Sequence, residues 1–370
     1  FCLPAAKGQP RLTSYGWWAS PFWGPLDSGI PKVRFRRSLD TRSAMAAQGS
    51  HTDTRFGRGR FVPIAVDTLC SATVLDFDLF IRPDSAAPPF LYRGSTYPLE
   101  QEDLDRLAEQ GGETLYIRSG KCIEYQCYLR EVVLRNEGLT PVQRYTLLKN
   151  AHAAIFRSAF QSRNLNRVVH FADEFGRQMM EIICNRDVVL SELFRLMDHD
   201  YYTYTHATNV CTYCVALADR PGTYESPDLI GMAVGGLLHD ISKRHVSPAL
   251  LNKPYPLNCK QRKLVRRHPQ AGFEELCLHK DLSWGQLMMV YQHHERLDGR
   301  GYPVGVTAED IHDWARMCAV VDVFDALTSD RAYRKGVGID AGLVFLQRGA
   351  GNEFDREMVQ CLVETMRCNG

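Results

Sequence analysis

Five short stretches of this chain carry side chains of the kinds that hold divalent metals. His206 lies in YYTYTHATNVCTYCVALA, and GLLHDISKRHVSP supplies His239 and Asp240 side by side. RRHPQAGFEEL supplies His268, YQHHERLDGRGYP supplies His293 and His294, and MCAVVDVFDALTSDRAYRK carries Asp322 and Asp325. The His239–Asp240 pair ends an apolar helical run, where an imidazole or carboxylate is costly unless it is paired, hydrogen-bonded or bound to metal. Neutral imidazole mixed with carboxylate suits Fe, Mn or Zn rather than Ca or Mg alone. A carboxylate can bridge two ions, and two ions roughly 3.5–4 Å apart are a recognised arrangement for phosphoester hydrolysis.

For these residues to meet, the segments that carry them must pack with their ends together. From about residue 140 the pattern is helical and stays so. PVQRYTLLKNAHAAIFRSAFQ opens with Thr140-Pro141, an N-cap followed by a proline at the first helical position. VVHFADEFGRQMMEIICN and VLSELFRLMDHD continue with apolar residues three and four apart. Residues 60–130 differ: RFVPIAVDTL, TVLDFDLFIRPD, PFLYRGSTYPL and TLYIRSGKCIEYQCYL are β-branched and aromatic runs separated by turn residues. One helical pattern, EQEDLDRLAEQ, interrupts them before Gly111-Gly112. The expected organisation is an upstream extension or disordered segment over 1–58, with Met45 a plausible start. A small α+β regulatory or docking domain over 59–135, a helical connector over 136–190 and an all-α helical bundle over 191–370 follow.

Several of these motifs together resemble one family. HDISK at 239–243, HHERLDGRGYP at 293–303 and DVFDALTSDRAYR at 322–334 are similar, in order, to the signatures of the HD-GYP branch of the HD-domain metal-dependent phosphohydrolases. The resemblance covers about residues 195–350. It implies an HD-domain-like bundle that hydrolyses cyclic di-GMP to pGpG, with further cleavage to GMP left open, by a water activated by two metal ions, Fe or Mn, attacking phosphorus. Carried over position by position, one ion would be held by His206, His239, Asp240 and Asp322. Asp240 would bridge to a second held by His268, His293 and His294. Lys243 would sit one helical turn from His239 near the scissile phosphate, and Tyr302, Arg331 and Arg334 would contact the dinucleotide. Tyr202 stands where three-metal members carry glutamate, so the expectation is a two-metal site. Ser242 replaces the usual glycine, and Ala332 the usual proline. Two alternatives stay open: a cyclic-dinucleotide-binding signalling module that turns over weakly, and the same chemistry on a different cyclic dinucleotide.

The rest of the sequence narrows the class. A net charge of +1 over 370 residues gives no argument for wrapping a nucleic-acid polymer or for a membrane surface. Twelve scattered cysteines in mostly apolar helical patterns point to reduced, buried thiols, the Cys211-Thr-Tyr-Cys214 pair included, and to a cytoplasmic setting. His152 and His170 read as structural histidines; His245, His279 and His312 read as solvated. His199-Asp200 reads as a decoy pair at a polar helix end. The basic run around Lys263, Arg266 and Arg267 reads as a solvated face. A signalling partner would engage the N-terminal domain, and connector helices of this kind suggest a homodimer.

Overall fold

The computed structural model describes residues 61–82, 87–109, 115–161, 164–184, 203–220, 222, 224–330 and 335–367. Residues 1–58, His199, Asp200, Tyr202, Arg331, Ala332 and Arg334 therefore lie outside the described residues.

Four short strands form an antiparallel sheet in the order β1-β4-β2-β3: β1 (Phe61–Ile64), β2 (Leu79–Ile81), β3 (Phe90–Arg93) and β4 (Leu115–Arg118). β4 pairs with β1 in the register Phe61↔Arg118 and with β2 as Phe80↔Tyr116. Alternation puts Val62, Ile64, Leu79, Leu115 and Ile117 on the buried face. Helix α1 (Gln101–Glu109) sits between β3 and β4, as its periodicity predicts.

The strand reading of TLYIRSGKCIEYQCYL holds only for its first half. After β4 the chain turns into α2 (Cys122–Tyr128), continued by a wider π-helical turn over Leu129–Leu134. Cys122, Tyr125, Gln126 and Leu129 are buried, which is helical spacing, and the Tyr125 hydroxyl meets the Thr68 hydroxyl at 2.6 Å. β-propensity in Ile, Tyr and Cys was overridden by packing on one helical face.

The helical body then follows. α3 (Pro141–Gln161) is opened by a reciprocal cap between Thr140 and Gln143, and α4 (Leu165–Ile183) by the Asn164 side chain. Both helices pack closely rather than bridging open space: α3 lies on β1 and α4 lies along α6 (Ser226–Leu238). One buried cluster runs without interruption from Val62 to Val363.

α6 is apolar on all sides because it is surrounded: α4, α5 (Thr203–Asp219) and α10 (Trp284–Gln292) all contact it. Its crossing with α5 is close enough that a Cβ on Gly236 would lie 3.1 Å from the Cys211 Cα, so glycine permits the approach. Cys211 and Cys214 are free, fully buried thiols at this crossing.

α11 (Asp313–Thr328) packs against α5 and α10, with Phe324 edge-on to Tyr213 at 5.5 Å. Such an aromatic pair adds about 1 kcal/mol beyond its burial. The short helices α7 (Pro248–Leu251), α8 (Cys259–Val265) and α9 (His268–Leu276) line one side, while α12 (Ile339–Gly349) and α13 (Arg356–Arg367) close the other. Among the described residues no helix is long and apolar enough to cross a membrane.

Candidate metal centre

The helices place every predicted ligand at one end of the bundle. His239 caps the C-terminus of α6, His293 caps that of α10, and His268 opens α9. His206 and Asp322 come from the bodies of α5 and α11. These five, with Asp240 and His294, are buried. Two clusters of ligand atoms result, each within 4.8 Å: His206 with His239 and Asp240, and His268 with His293 and His294.

Asp240 stands between them. Its Oδ1 is 3.1 Å from His268 Nε2 and 3.7 Å from His293 Nε2. Its Oδ2 is 3.3 Å from His239 Nε2 and 3.8 Å from His206 Nε2. Asp322 reaches both sides as well, 3.1 Å from His206 Nε2 and 3.6 Å from His294 Nδ1.

The donor set fits metal ions. Nδ1 of His239, His268 and His293 each faces a main-chain carbonyl, of Gly236 at 2.6 Å, Val265 at 2.8 Å and Val290 at 3.0 Å. That bond assigns the ring proton to Nδ1 and turns a bare Nε2 lone pair inward. Among the described residues His239 Nε2 and Asp240 Oδ1 are buried without hydrogen-bond partners, a costly state unless a cation meets them. Burial pushes the His293 and His294 imidazoles well below the usual range, reinforced by their histidine neighbours, so both are neutral. Burial alone would raise the Asp240 carboxyl. The Lys243 ammonium, with His239 beside it, outweighs that burial and holds Asp240 well below the usual range. Asp322 behaves likewise through His206 and His294.

Lys243 reaches the site by a different route from the expected helical face. α6 ends at Leu238, and residues Ile241–His245 form a 3-10 turn, so Lys243 lies three residues after Asp240 with its Nζ 2.5 Å from Asp240 Oδ2. Two buried polar residues in sequence broke the helix where their side chains turn into the site. Ser242 does more than fit where glycine is usual: its hydroxyl donates to the His268 carbonyl at 2.7 Å and ties the turn to α9.

Asp325 had no assigned role in the sequence, yet it supports the site. Its Oδ2 accepts from His206 Nδ1 at 2.7 Å and its Oδ1 from Asn209 Nδ2 at 2.8 Å. The signal was present as a second acid one turn after Asp322 on an apolar helix.

The turn after His294 forms the wall. Glu295, buried and with its carboxyl raised by that burial, accepts from the main-chain N–H groups of Val304 at 2.7 Å and Gly305 at 3.0 Å. Asp298 accepts from Arg296 and from the Arg300 N–H. Tyr302, before a cis proline, stacks on His294 with ring centroids 4.7 Å apart, and its buried hydroxyl has no hydrogen-bond partner among the described residues. Arg266, expected to be solvated, is half-buried with its guanidinium 4.8 Å from the centre of that ring. His312 is likewise not simply solvated, since its Nδ1 caps α11.

Comparison with known proteins agrees with this geometry. The family pattern described as HD domain matches residues 177–358. The cyclic di-GMP phosphodiesterase PA4108 of Pseudomonas aeruginosa is 35% identical over 301 residues, 75% of this chain and 70% of that protein. This chain belongs to the HD-GYP family. Two other matches cover only about a third of the relative's length. The 3'3'-cGAMP-specific phosphodiesterase 3 of Vibrio cholerae is 34% identical over 45% of this chain and 35% of its own. The response regulator RpfG of Xanthomonas campestris, named as a cyclic di-GMP phosphodiesterase, is 39% identical over 34% of each. Among solved structures, Bd1817 of Bdellovibrio bacteriovorus, described as an HDG"Y"P protein, superposes with a TM-score of 0.62 at 20% identity, over 83% of this chain and 99% of that one. That likeness speaks for the fold. Divalent metal binding follows from the HD domain and its clustered ligands.

Proposed function

We propose that this chain is a two-metal phosphodiesterase that opens cyclic di-GMP to linear pGpG and cleaves onward to GMP. The observation that carries the proposal is Asp240, one carboxylate whose two oxygens face two separate groups of buried histidines. His206, His239, Asp240 and Asp322 would hold one ion, and Asp240, His268, His293 and His294 the other, with Fe or Mn the proposed occupants. When bound, such ions supply Lewis acidity, which acidifies water near neutral pH and offsets charge on the phosphoryl oxygens.

The chain's own residues do the rest. The Nδ1–carbonyl bonds hold three imidazoles in the ligating tautomer before any metal arrives. Lys243 places a buried positive charge beside Asp240, where it would meet a phosphate. Tyr302, locked by stacking on His294, excludes water from one side of the site. Each cleavage adds one water across one P–O bond, leaving a 5'-phosphate on one nucleotide and a free 3'-hydroxyl on the other; the first gives pGpG and the second two GMP. Arg331 and Arg334 are proposed to contact the same substrate.

Residues 59–135 are proposed to receive a signal from a partner protein, with 136–190 linking that domain to the 191–370 catalytic bundle, and the chain to act in the cytoplasm as a homodimer. Relatives named as 3'3'-cGAMP-specific phosphodiesterases make that dinucleotide the second candidate substrate. The test is a panel of cyclic di-GMP, 3'3'-cGAMP and cyclic di-AMP with Fe- or Mn-loaded protein, products separated by chromatography. Preferential formation of pGpG supports the reading. Binding of cyclic di-GMP without any linear product would convert it to a signalling module, and preference for another dinucleotide would replace the substrate.

A further inference from the structure

Lys243 is delivered by the 3-10 turn Ile241–His245, whose main-chain bonds run from the Lys243 N–H to the Asp240 carbonyl at 2.9 Å and from the Val246 N–H to the Lys243 carbonyl at 3.0 Å. Such turns have poorer hydrogen-bond geometry than an α-helix. A lysine that acts at a phosphate must be placed closely, because a displacement of about 1 Å can cost about a hundredfold in rate. The placement of Lys243 therefore depends on what the other side chains of the turn reach.

On one side of Lys243, Ser242 ties the turn to His268, the first residue of α9. On the other side, Arg244 reaches two elements at once. Its Nη1 donates to the Phe160 carbonyl at 3.3 Å and its Nη2 to the Glu275 carboxylate. Phe160 lies in the last turn of α3, where carbonyls lack donors within the helix and favour a cation. Glu275 lies near the end of α9, seven residues after His268, so α9 grips the turn at two points and α3 at a third. The Arg244 side chain is 10% exposed and that of Glu275 22%, so this pair is screened less than one on the open surface. The same end of α3 also meets the helix of another candidate ligand. The Phe160 ring packs edge-on to Tyr204 at 5.4 Å, two residues before His206 on α5. A planar guanidinium can hold two acceptors at fixed angles, whereas a lysine ammonium is a point charge on a flexible stem.

We propose that Arg244 is a positioning residue for the reaction: by joining the end of α3 to Glu275 of α9, it holds the turn that aims Lys243 at the phosphate. The inference rests on the phosphodiesterase reading above and adds a residue outside the ligand set whose effect passes through Lys243. It also makes α3, which lies on β1 of the N-terminal sheet, part of the frame that sets the lysine.

The experiment is a double-mutant cycle in the whole chain loaded with Fe or Mn. It compares Arg244→Ala, Arg244→Lys, Glu275→Gln, Lys243→Ala and the Lys243→Ala/Arg244→Ala double variant on whichever cyclic dinucleotide the wild type hydrolyses. In Arg244→Ala, kcat is expected to fall about tenfold to a hundredfold. Arg244→Lys and Glu275→Gln are expected to lose less, and metal content is expected to match wild type throughout. Once Lys243 is removed, Arg244→Ala is expected to cost less than about twofold more, since a residue acting through another adds little when that other is gone. Losses that multiply in the double variant, an unchanged kcat in Arg244→Ala, or loss of metal in these variants would overturn the inference. Should Arg244→Ala fail to fold, the same cycle built from Arg244→Lys and Lys243→Ala decides it. A wild type that hydrolyses none of cyclic di-GMP, 3'3'-cGAMP and bis(p-nitrophenyl) phosphate refutes the phosphodiesterase reading alone. The cycle is then read as cyclic di-GMP affinity by calorimetry. Weakening by Arg244→Ala that vanishes without Lys243 sustains the positioning role, and its absence overturns it.

Discussion

Replacing Asp325 separates support of a ligand from ligation itself. Asp325 lies on α11 one turn after Asp322, fully inside the bundle, and receives bonds from His206 Nδ1 at 2.7 Å and Asn209 Nδ2 at 2.8 Å. In Asp325→Ala both donors lose that acceptor in a site closed to water. Hydrogen bonds to a charged group contribute about 1.5–3 kcal/mol each, so the expected loss of folding stability is about 3–5 kcal/mol. Asp325→Asn is the sharper test, because it keeps shape and loses the charge that fixes the imidazole proton on Nδ1. Removing a carboxylate behind a ligating histidine typically weakens metal binding about tenfold to a hundredfold. The assay is metal retention by elemental analysis after dialysis against graded chelator, alongside thermal unfolding of the metal-free protein. Asp325→Asn is expected to release one ion at lower chelator concentration and keep the other, since the His268–His293–His294 cluster does not contact Asp325. If Asp325→Asn holds both ions as tightly as wild type while His206→Ala loses one, the carboxylate plays no part in orienting His206.

Other perturbations follow from the same geometry. Asp240→Ala should lose both ions and all turnover, because its two oxygens face both clusters; full turnover in a metal-free variant would sink the two-metal mechanism. Gly301→Ala places a Cβ 2.4 Å from the Glu295 Cα, so main chain must move; kcat/KM should fall at least about tenfold, with about 1–3 kcal/mol lost from stability, and an unaltered enzyme would show that the turn does not position Tyr302. His152 is fully buried against Phe171 and Phe175, and burial pulls its imidazole down to about 4 from 6.5. A lowered histidine contributes stability above 6.5 that is lost as pH falls toward 4. At about 1.4 kcal/mol per pH unit the difference is about 3 kcal/mol. Urea unfolding of metal-free protein at pH 7 and pH 4.5 should therefore show a larger acid loss in wild type than in His152→Leu, and identical losses would refute the assignment.

Legibility in the sequence followed the range of the interaction. The clustered histidines and aspartates were readable as candidate ligands because they break a local rule: His239 and Asp240 end an apolar run, Asp322 interrupts another, and His293–His294 precede a turn. α3 was readable from Thr140-Pro141 and its period, and the antiparallel strands from their punctuation. What failed depended on contacts between distant segments. GKCIEYQCYL has strand-forming residues, yet Tyr125 finds Thr68 and the helical face wins. Lys243 was placed by helical spacing, but the helix stops two residues before the turn that delivers it. Asp325 gains its meaning only where α11 crosses α5.

Arg266 shows the same limit from the opposite side. In composition it is one of several cations on a short polar helix, and the averaged pattern of Lys260–Arg267 describes Lys263 and Arg267 well. Nothing within that helix distinguishes Arg266, because the feature that does so, the Tyr302 ring, lies 36 residues further along and is itself positioned by Glu295 and His294. A residue whose role is set by the wall opposite it cannot be read from its own neighbours, whereas a metal ligand buried in an apolar helix can. The seven candidate ligands therefore follow from local chemistry, and the wall beside them follows from tertiary placement. On that account, moving the Tyr302 wall should change dinucleotide affinity even when every candidate metal ligand is intact. Tyr302→Leu, which removes the ring and its buried hydroxyl but keeps apolar bulk, is expected to raise KM for the dinucleotide about tenfold with metal content equal to wild type. An unchanged KM would show that the ring does not line the substrate site, and loss of metal would show that it acts through His294 instead.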